Sequence, residues 1–150
     1  MIEIIYKKYN DSNIESFIEM GQKLWKDIER NELVELLKQT INSDKYYILL
    51  AKNSDNQNVG FSIFSIRTDY VEGSINSLTG YLEEIFVEKG YRKMGIAKEF
   101  LRLGEGWCKE KGCSQIGSDT WLTDQESRNF HKKVGFWEED EVVHFLKNLD

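Results

Sequence analysis

Apolar and polar positions alternate through "IEIIYKK", residues 2–8, and predict an opening strand. The period then lengthens. "SNIESFIEMGQKLWKDI" and, after "ERN", "ELVELLKQTI" carry apolar residues three and four apart, the spacing of two amphipathic helices. "KYYILLAKN" and "NVGFSIFSIRT" lie on either side of the turn-rich "NSDNQN" and predict a hairpin; "GYLEEIFVE" predicts a fourth strand. From Ile96 to Cys108 the residues Ile96, Ala97, Phe100, Leu101, Trp107 and Cys108 share one helical face, a stripe suited to a core. "CSQIGSDT", "DQESRNFHKKV" and "EVVHFLKNL" predict a fifth strand, a short helix and a last strand. The order β-α-α-β-β-β-α-β-α-β describes a mixed α/β sandwich rather than a doubly wound domain. With no repeat, low-complexity tract or linker in 150 residues, one domain over 1–150 is expected.

Composition narrows the function. At 40% hydrophobic and 13% aromatic residues the chain can build a core despite being 31% charged. A net charge of −6 argues against nucleic acid or an anionic membrane as partner, because both demand a basic stripe, and leaves a cationic small molecule open. The longest apolar run, "YYILLA", is too short to span a bilayer, and acids interrupt the N-terminal run, so a cytoplasmic setting is expected. Two cysteines fit neither a disulfide framework nor a paired metal site. Cys108 reads as packed on a helix face and Cys113 as the start of a strand, both reduced, with no metal expected.

The chemistry concentrates in "EKGYRKMGIAKEF", residues 88–100, where a basic turn runs through one glycine into a helix without a Ser, Thr, Asp or Asn cap. Uncapped N–H groups beside a glycine suit an anion. Arg92-Lys93-Met94-Gly95-Ile96-Ala97 spells R-x-x-G-x-A after the strand "EEIFV". Gly95 permits close backbone approach, Ala97 keeps bulk away, and Arg92, Lys93 and Lys98 add positive charge. The same letters also describe an ordinary turn with solvated lysines. No P-loop pattern is present.

In this context the motif resembles the acetyl-CoA-binding motif of the GNAT superfamily of N-acetyltransferases, and the helix pair, hairpin, "IFV" strand and downstream "NFHKKVGF" follow in the order of that family. The resemblance implies the GNAT fold, a mixed, mostly antiparallel sheet flanked by helices. It implies acetyl-CoA as cosubstrate, cradled by Arg92 to Lys98, with the pantetheine arm along the backbone of Phe86 and Val87 and the Val87 N–H as oxyanion donor. Asn129 and His131 fall where the family contacts CoA. "IRTDYVEG", "YLEEIFV", "GSDT" and "FHKKVGF" further resemble the aminoglycoside 6′-N-acetyltransferases, which implies an antibiotic amine as acceptor and a homodimer.

Acetyl transfer to an amine needs a proton acceptor and a protonated leaving thiol. Strict strand alternation would place Glu83 with Tyr81 and Ile85, and Glu84 with Leu82 and Phe86, so one carboxylate faces the interior. Either the strand end has not yet entered the core or the acid lies at the floor of a cleft; Glu83 matches the acidic residue of the related enzymes. Asp119 reads as a turn-forming residue or, by the resemblance, as the acid meeting the amine. Trp25 and Tyr70 are candidate substrate walls. Glu138-Glu139-Asp140-Glu141 reads as a solvated turn, while the resemblance keeps Glu139 near the acceptor site, in some relatives across a dimer. His131 stands where the family often has a Tyr that protonates the leaving thiolate; it reads equally as an exposed helical His. Three functions stay open: a 6′-N-acetyltransferase, an acetyltransferase for a polyamine or protein terminus, and a non-catalytic CoA-binding sensor.

Overall fold

A computed structural model describes residues 2–150. Its single sheet has the order β1-β2-β3-β4-β5, built from β1 (Ile5–Lys8), β2 (Tyr46–Lys52), β3 (Asn58–Arg67), β4 (Thr79–Val87) and β5 (Ile116–Ser118). The first four strands run antiparallel and β5 joins β4 in parallel. This is the expected mixed, mostly antiparallel α/β arrangement.

Alternation along β2 and β3 decides which helix covers which face. Ile48, Leu50, Phe61 and Ile63 point to one side, where they bury against Phe17 and Ile18 of α1 (Ile14–Leu24) and Leu33 and Leu37 of α2 (Arg30–Ile41). Leu49, Ala51 and Phe64 point to the other, against Ile96, Phe100 and Leu101 of α3 (Ile96–Glu110). The stripe expected on α3 is the buried face, completed by Gly104, where any Cβ would overlap the Phe64 ring. Cys108 packs here too, and burial pushes its thiol up to about 12, so it stays protonated at neutral pH. Cys113 is buried but precedes β5, which is shorter than the expected "CSQIGSDT" strand.

Two features depart from the sequence pattern. Between Ile63/Phe64 of β3 and Leu82/Glu84 of β4 the register shifts, leaving Glu83 as an extra, bulged residue. Leu82 and Ile85 therefore both pack toward α3, while Glu83 and Glu84 together join Phe86 on the α1/α2 side, contrary to strict alternation. Second, "EVVHFLKNL" forms no strand. The chain runs from α4 (Gln125–Lys133) to its end without regular structure, and Phe145, Leu146 and Leu149 are 86%, 90% and 89% exposed. An isolated strand leaves its ladder unmade, and the tail does not add to the open edge of β5 or of β1.

Candidate active site

The β4–β5 ladder pairs only Gly80, Tyr81 and Leu82 with Ile116, Gly117 and Ser118. Past that point the two strands part, and one edge of β4 from the bulge to Val87 is uncovered by β5. Glu88 N–H donates to Val59 O on the β3 side at 2.8 Å, so strand alternation turns the Val87 N–H and carbonyl toward the uncovered edge. There Arg92 Nε donates to Val87 O at 2.9 Å, which ties the basic turn to the strand end and leaves the N–H facing the gap.

The turn itself has the backbone of an anion cradle. Lys93 (φ 64) and Gly95 (φ 84) are both left-handed, and Gly95 caps α3 without any side-chain hydrogen bond. Glycine is needed here because a side chain at that φ would be strained. Tyr91 holds the turn in place: its hydroxyl accepts from Asn53 Nδ2 at 3.0 Å, and Asn53 Oδ1 in turn accepts the N–H groups of Asp55 and Gln57. Met94, Lys93 and Lys98 are exposed, Ile96 is buried, and Ala97 packs partly under the turn.

Across the sheet lies a cleft of about 670 Å³ lined by Trp25, Tyr70, Asp69, Arg67, Glu83 and Glu84 among others. Glu83 is engaged on both oxygens: Ser65 Oγ donates to Oε1 at 2.6 Å, and Arg67 donates to Oε1 from Nε at 3.1 Å and to Oε2 from Nη2 at 2.9 Å. The Arg67 guanidinium also lies 3.4 Å above the Tyr81 ring. Tyr81 Oη donates to Asp119 Oδ2 at 2.5 Å, and burial together with that bond holds the phenol well above its usual value. A continuous chain of contacts, Ser65–Glu83–Arg67–Tyr81–Asp119, thus joins two of the carboxylates singled out by the sequence. Trp25 closes the helical side of the cleft and Tyr70, largely exposed, its mouth.

Other sequence-selected residues lie elsewhere. Glu139 rests against Gly73 and accepts from Trp137 Nε1 at 2.6 Å, outside the cleft lining. Asn129 is exposed and accepts from Gln125 Nε2 at 2.8 Å. His131 is half-buried rather than exposed. Its Nδ1 lies 2.7 Å from Ser127 O, which can only accept, so Nδ1 carries a proton, and in the neutral ring Nε2 accepts from Ser118 Oγ at 2.7 Å. Sequence reasoning missed Arg67, Tyr81, Tyr91 and Asn53, and of the Glu83–Glu84 pair it preferred Glu83. Glu84 carried a sequence signal, as the second acid in an otherwise apolar strand. Among the described residues no cluster of His, Cys, Asp or Glu could hold a metal, and no helix is long and apolar enough to cross a membrane.

The model of the acetyltransferase (GNAT) family matches residues 5–136, nearly the whole chain. The chain belongs to the GNAT acetyltransferases. Among curated relatives, the aminoglycoside N(6′)-acetyltransferase type 1 of Acinetobacter haemolyticus is 33% identical over 144 residues, covering 96% of this chain and 98% of that protein. Among solved structures, the aminoglycoside 6′-N-acetyltransferase AAC(6′)-Ih of Acinetobacter baumannii superposes with a TM-score of 0.91 at 32% identity, covering 99% of this chain and 100% of that one. AAC(6′)-Iy in complex with the bisubstrate analogue CoA-S-monomethyl-acetylneamine superposes with a TM-score of 0.92 at 27% identity, covering 98% of this chain and 99% of that one. In this GNAT chain the parted strands, the uncapped α3 turn and the acidic cleft all adjoin β4.

Proposed function

We propose that the protein transfers the acetyl group of acetyl-CoA to the 6′-amino group of aminoglycoside antibiotics, and so confers resistance. The observation that carries this reading is the meeting of the uncovered β4 edge with a cleft whose walls are carboxylates and aromatic rings. Such walls suit a polycationic sugar, since an ammonium–carboxylate contact of ~1 kcal/mol in water reaches ~4 kcal/mol in a partly desolvated site. Bisubstrate binding to the relative of known structure supports the pairing of donor and acceptor.

Acetyl-CoA supplies an activated thioester when bound. The residues from Arg92 to Lys98 would hold its phosphates with backbone N–H groups and flanking charge. The Val87 N–H would polarise the thioester carbonyl. A C–N bond forms as the C–S bond breaks. Asp119, with one oxygen held by Tyr81, would receive the amine's proton directly or through water, and the departing sulfur would take up a proton from solvent water. Held between Ser118 and Ser127, His131 ties β5 to α4, and it could protonate the thiolate only as the imidazolium, with Nε2–H turned from Ser118 to the sulfur.

The reading includes a homodimer in the cytoplasm. Trp137, Val142, Val143, Phe145, Leu146 and Leu149 are all exposed within the final segment, an apolar load that a second copy would cover. β5 offers that copy's tail a bare edge beside only three paired residues. Replacing Phe145 and Leu146 together by Glu should convert a dimer to a monomer in sedimentation velocity; an unchanged dimer would place the interface elsewhere.

The function is tested by thiol release from acetyl-CoA with kanamycin, tobramycin, a 6′-hydroxyl aminoglycoside, spermidine and a short peptide. Release with the 6′-amino compounds and little with the 6′-hydroxyl one is expected. Turnover on spermidine or peptide alone would reassign the acceptor, and none at all beside tight CoA binding would leave a sensor.

A further inference from the structure

The bulge in β4 brings two adjacent carboxylates to one cleft but gives them different surroundings. Glu83 already has a cation. Arg67 binds it through two nitrogens and Ser65 through a hydroxyl, so an incoming ammonium would have to displace a bidentate guanidinium. Glu84 has none: among the described residues no Lys, Arg or His lies within ion-pair distance, and its one hydrogen bond comes from Trp25 Nε1 at 3.4 Å. It sits opposite Ile63, on the cleft wall between Trp25 and Glu83.

Burial there raises its pKa, the Trp25 bond offsets part of that rise, and weaker repulsion from Asp119 and Glu83 adds to it. Two cations line this cleft: the Arg67 guanidinium is committed to Glu83 and the Tyr81 face, and Lys45 makes no ion pair with Glu84. A desolvated carboxylate without a counter-ion destabilises the free protein. Such a cost is recovered when a cation enters, which is the behaviour of a binding group rather than of a packing group.

We propose that Glu84 is the carboxylate that binds an ammonium group of the acceptor, oriented by the Trp25 indole, and that Glu83 serves as the internal counter-ion that fixes Arg67. This deepens the function proposed above and rests on its cationic acceptor. It also moves the acceptor contact from Glu83, the acid that the resemblance favours, to its neighbour.

The test compares Glu84→Gln, Glu84→Asp and Glu83→Gln in the full-length protein with CoA present. Calorimetry should show kanamycin binding weakened about tenfold or more by Glu84→Gln, the loss expected for one desolvated charge contact, and partly restored by Glu84→Asp. CoA affinity should not move. Glu84→Gln should at the same time raise the melting temperature at neutral pH, whereas a structural Glu would lower it. Unchanged kanamycin affinity in Glu84→Gln, or a larger loss in Glu83→Gln than in Glu84→Gln, overturns the assignment. If the wild-type protein binds spermidine and no aminoglycoside, the acceptor reading falls while the same comparison, made with spermidine, still decides Glu84. Failure to bind any of these polyamines overturns both.

Discussion

The proposed donor side and the proposed acceptor side of this GNAT chain share β4 but are built of different material. Toward α3 the site is backbone: a strand edge left open where β5 ends, two left-handed residues at Lys93 and Gly95, and helix N–H groups with no side-chain cap. Toward α1 and α2 it is side chain: Glu83, Glu84 and Arg67 line the cleft, and Tyr81 and Asp119 lie behind it, joined to it through the Arg67–Tyr81 contact. A backbone site accepts any side chain that leaves its φ/ψ intact, whereas a side-chain site changes with each residue. The first therefore suits a ligand that never varies, and the second an acceptor that does.

If the two sides are separable, substitutions should move one set of constants at a time. The largest effect is expected from Asp119→Asn, which should lower kcat with kanamycin about 10²-fold or more, as loss of a proton acceptor does. CoA binding by calorimetry should stay within a few-fold, and an equal loss there would put Asp119 on the donor side. Gly95→Val is the reciprocal change. Strain at positive φ should raise the KM for acetyl-CoA about tenfold while kanamycin affinity holds; a melting curve separates this from unfolding.

Glu84 sharpens the contrast through pH. Its pKa is raised in the folded chain, so folding disfavours the ionised form. The favourable contribution is complete below the unfolded pKa and is lost as pH rises through the folded value. Glu84→Gln should thus raise the melting temperature at pH 8 by about 2 °C and leave it unchanged at pH 4, as differential scanning calorimetry would register. The smallest effect should come from Asp124→Ala. Asp124 caps α4 by accepting from Ser127 N–H at 3.0 Å, and its loss should cost about 1 kcal/mol in urea unfolding without altering either KM.

Much of the donor side was legible because its requirements are local. A strand, a basic turn, Gly95 and the apolar stripe of α3 lie within one continuous stretch, and each answers to backbone geometry or a 3.6 period. The acceptor side was legible only as a set of misplaced acids. The alternation rule singles out the Glu83–Glu84 pair but cannot foresee a bulge, since register is decided by the whole β3–β4 ladder. Nor could spacing reveal that Arg67, from the end of β3, would reach Glu83 and lie over Tyr81.

The tail shows the same limit from the other direction. "EVVHFLKNL" has the apolar content of a strand, yet a strand exists only with a neighbour, and the tail does not add to either edge of this sheet. By itself the sequence determined the helices, the hairpin and the uncapped turn at Gly95, because those depend on contacts a few residues apart. Only the tertiary structure decided which carboxylate is neutralised and which is left without a counter-ion, because that depends on groups from β3, β4, α1 and the β5 end meeting in one place of low dielectric.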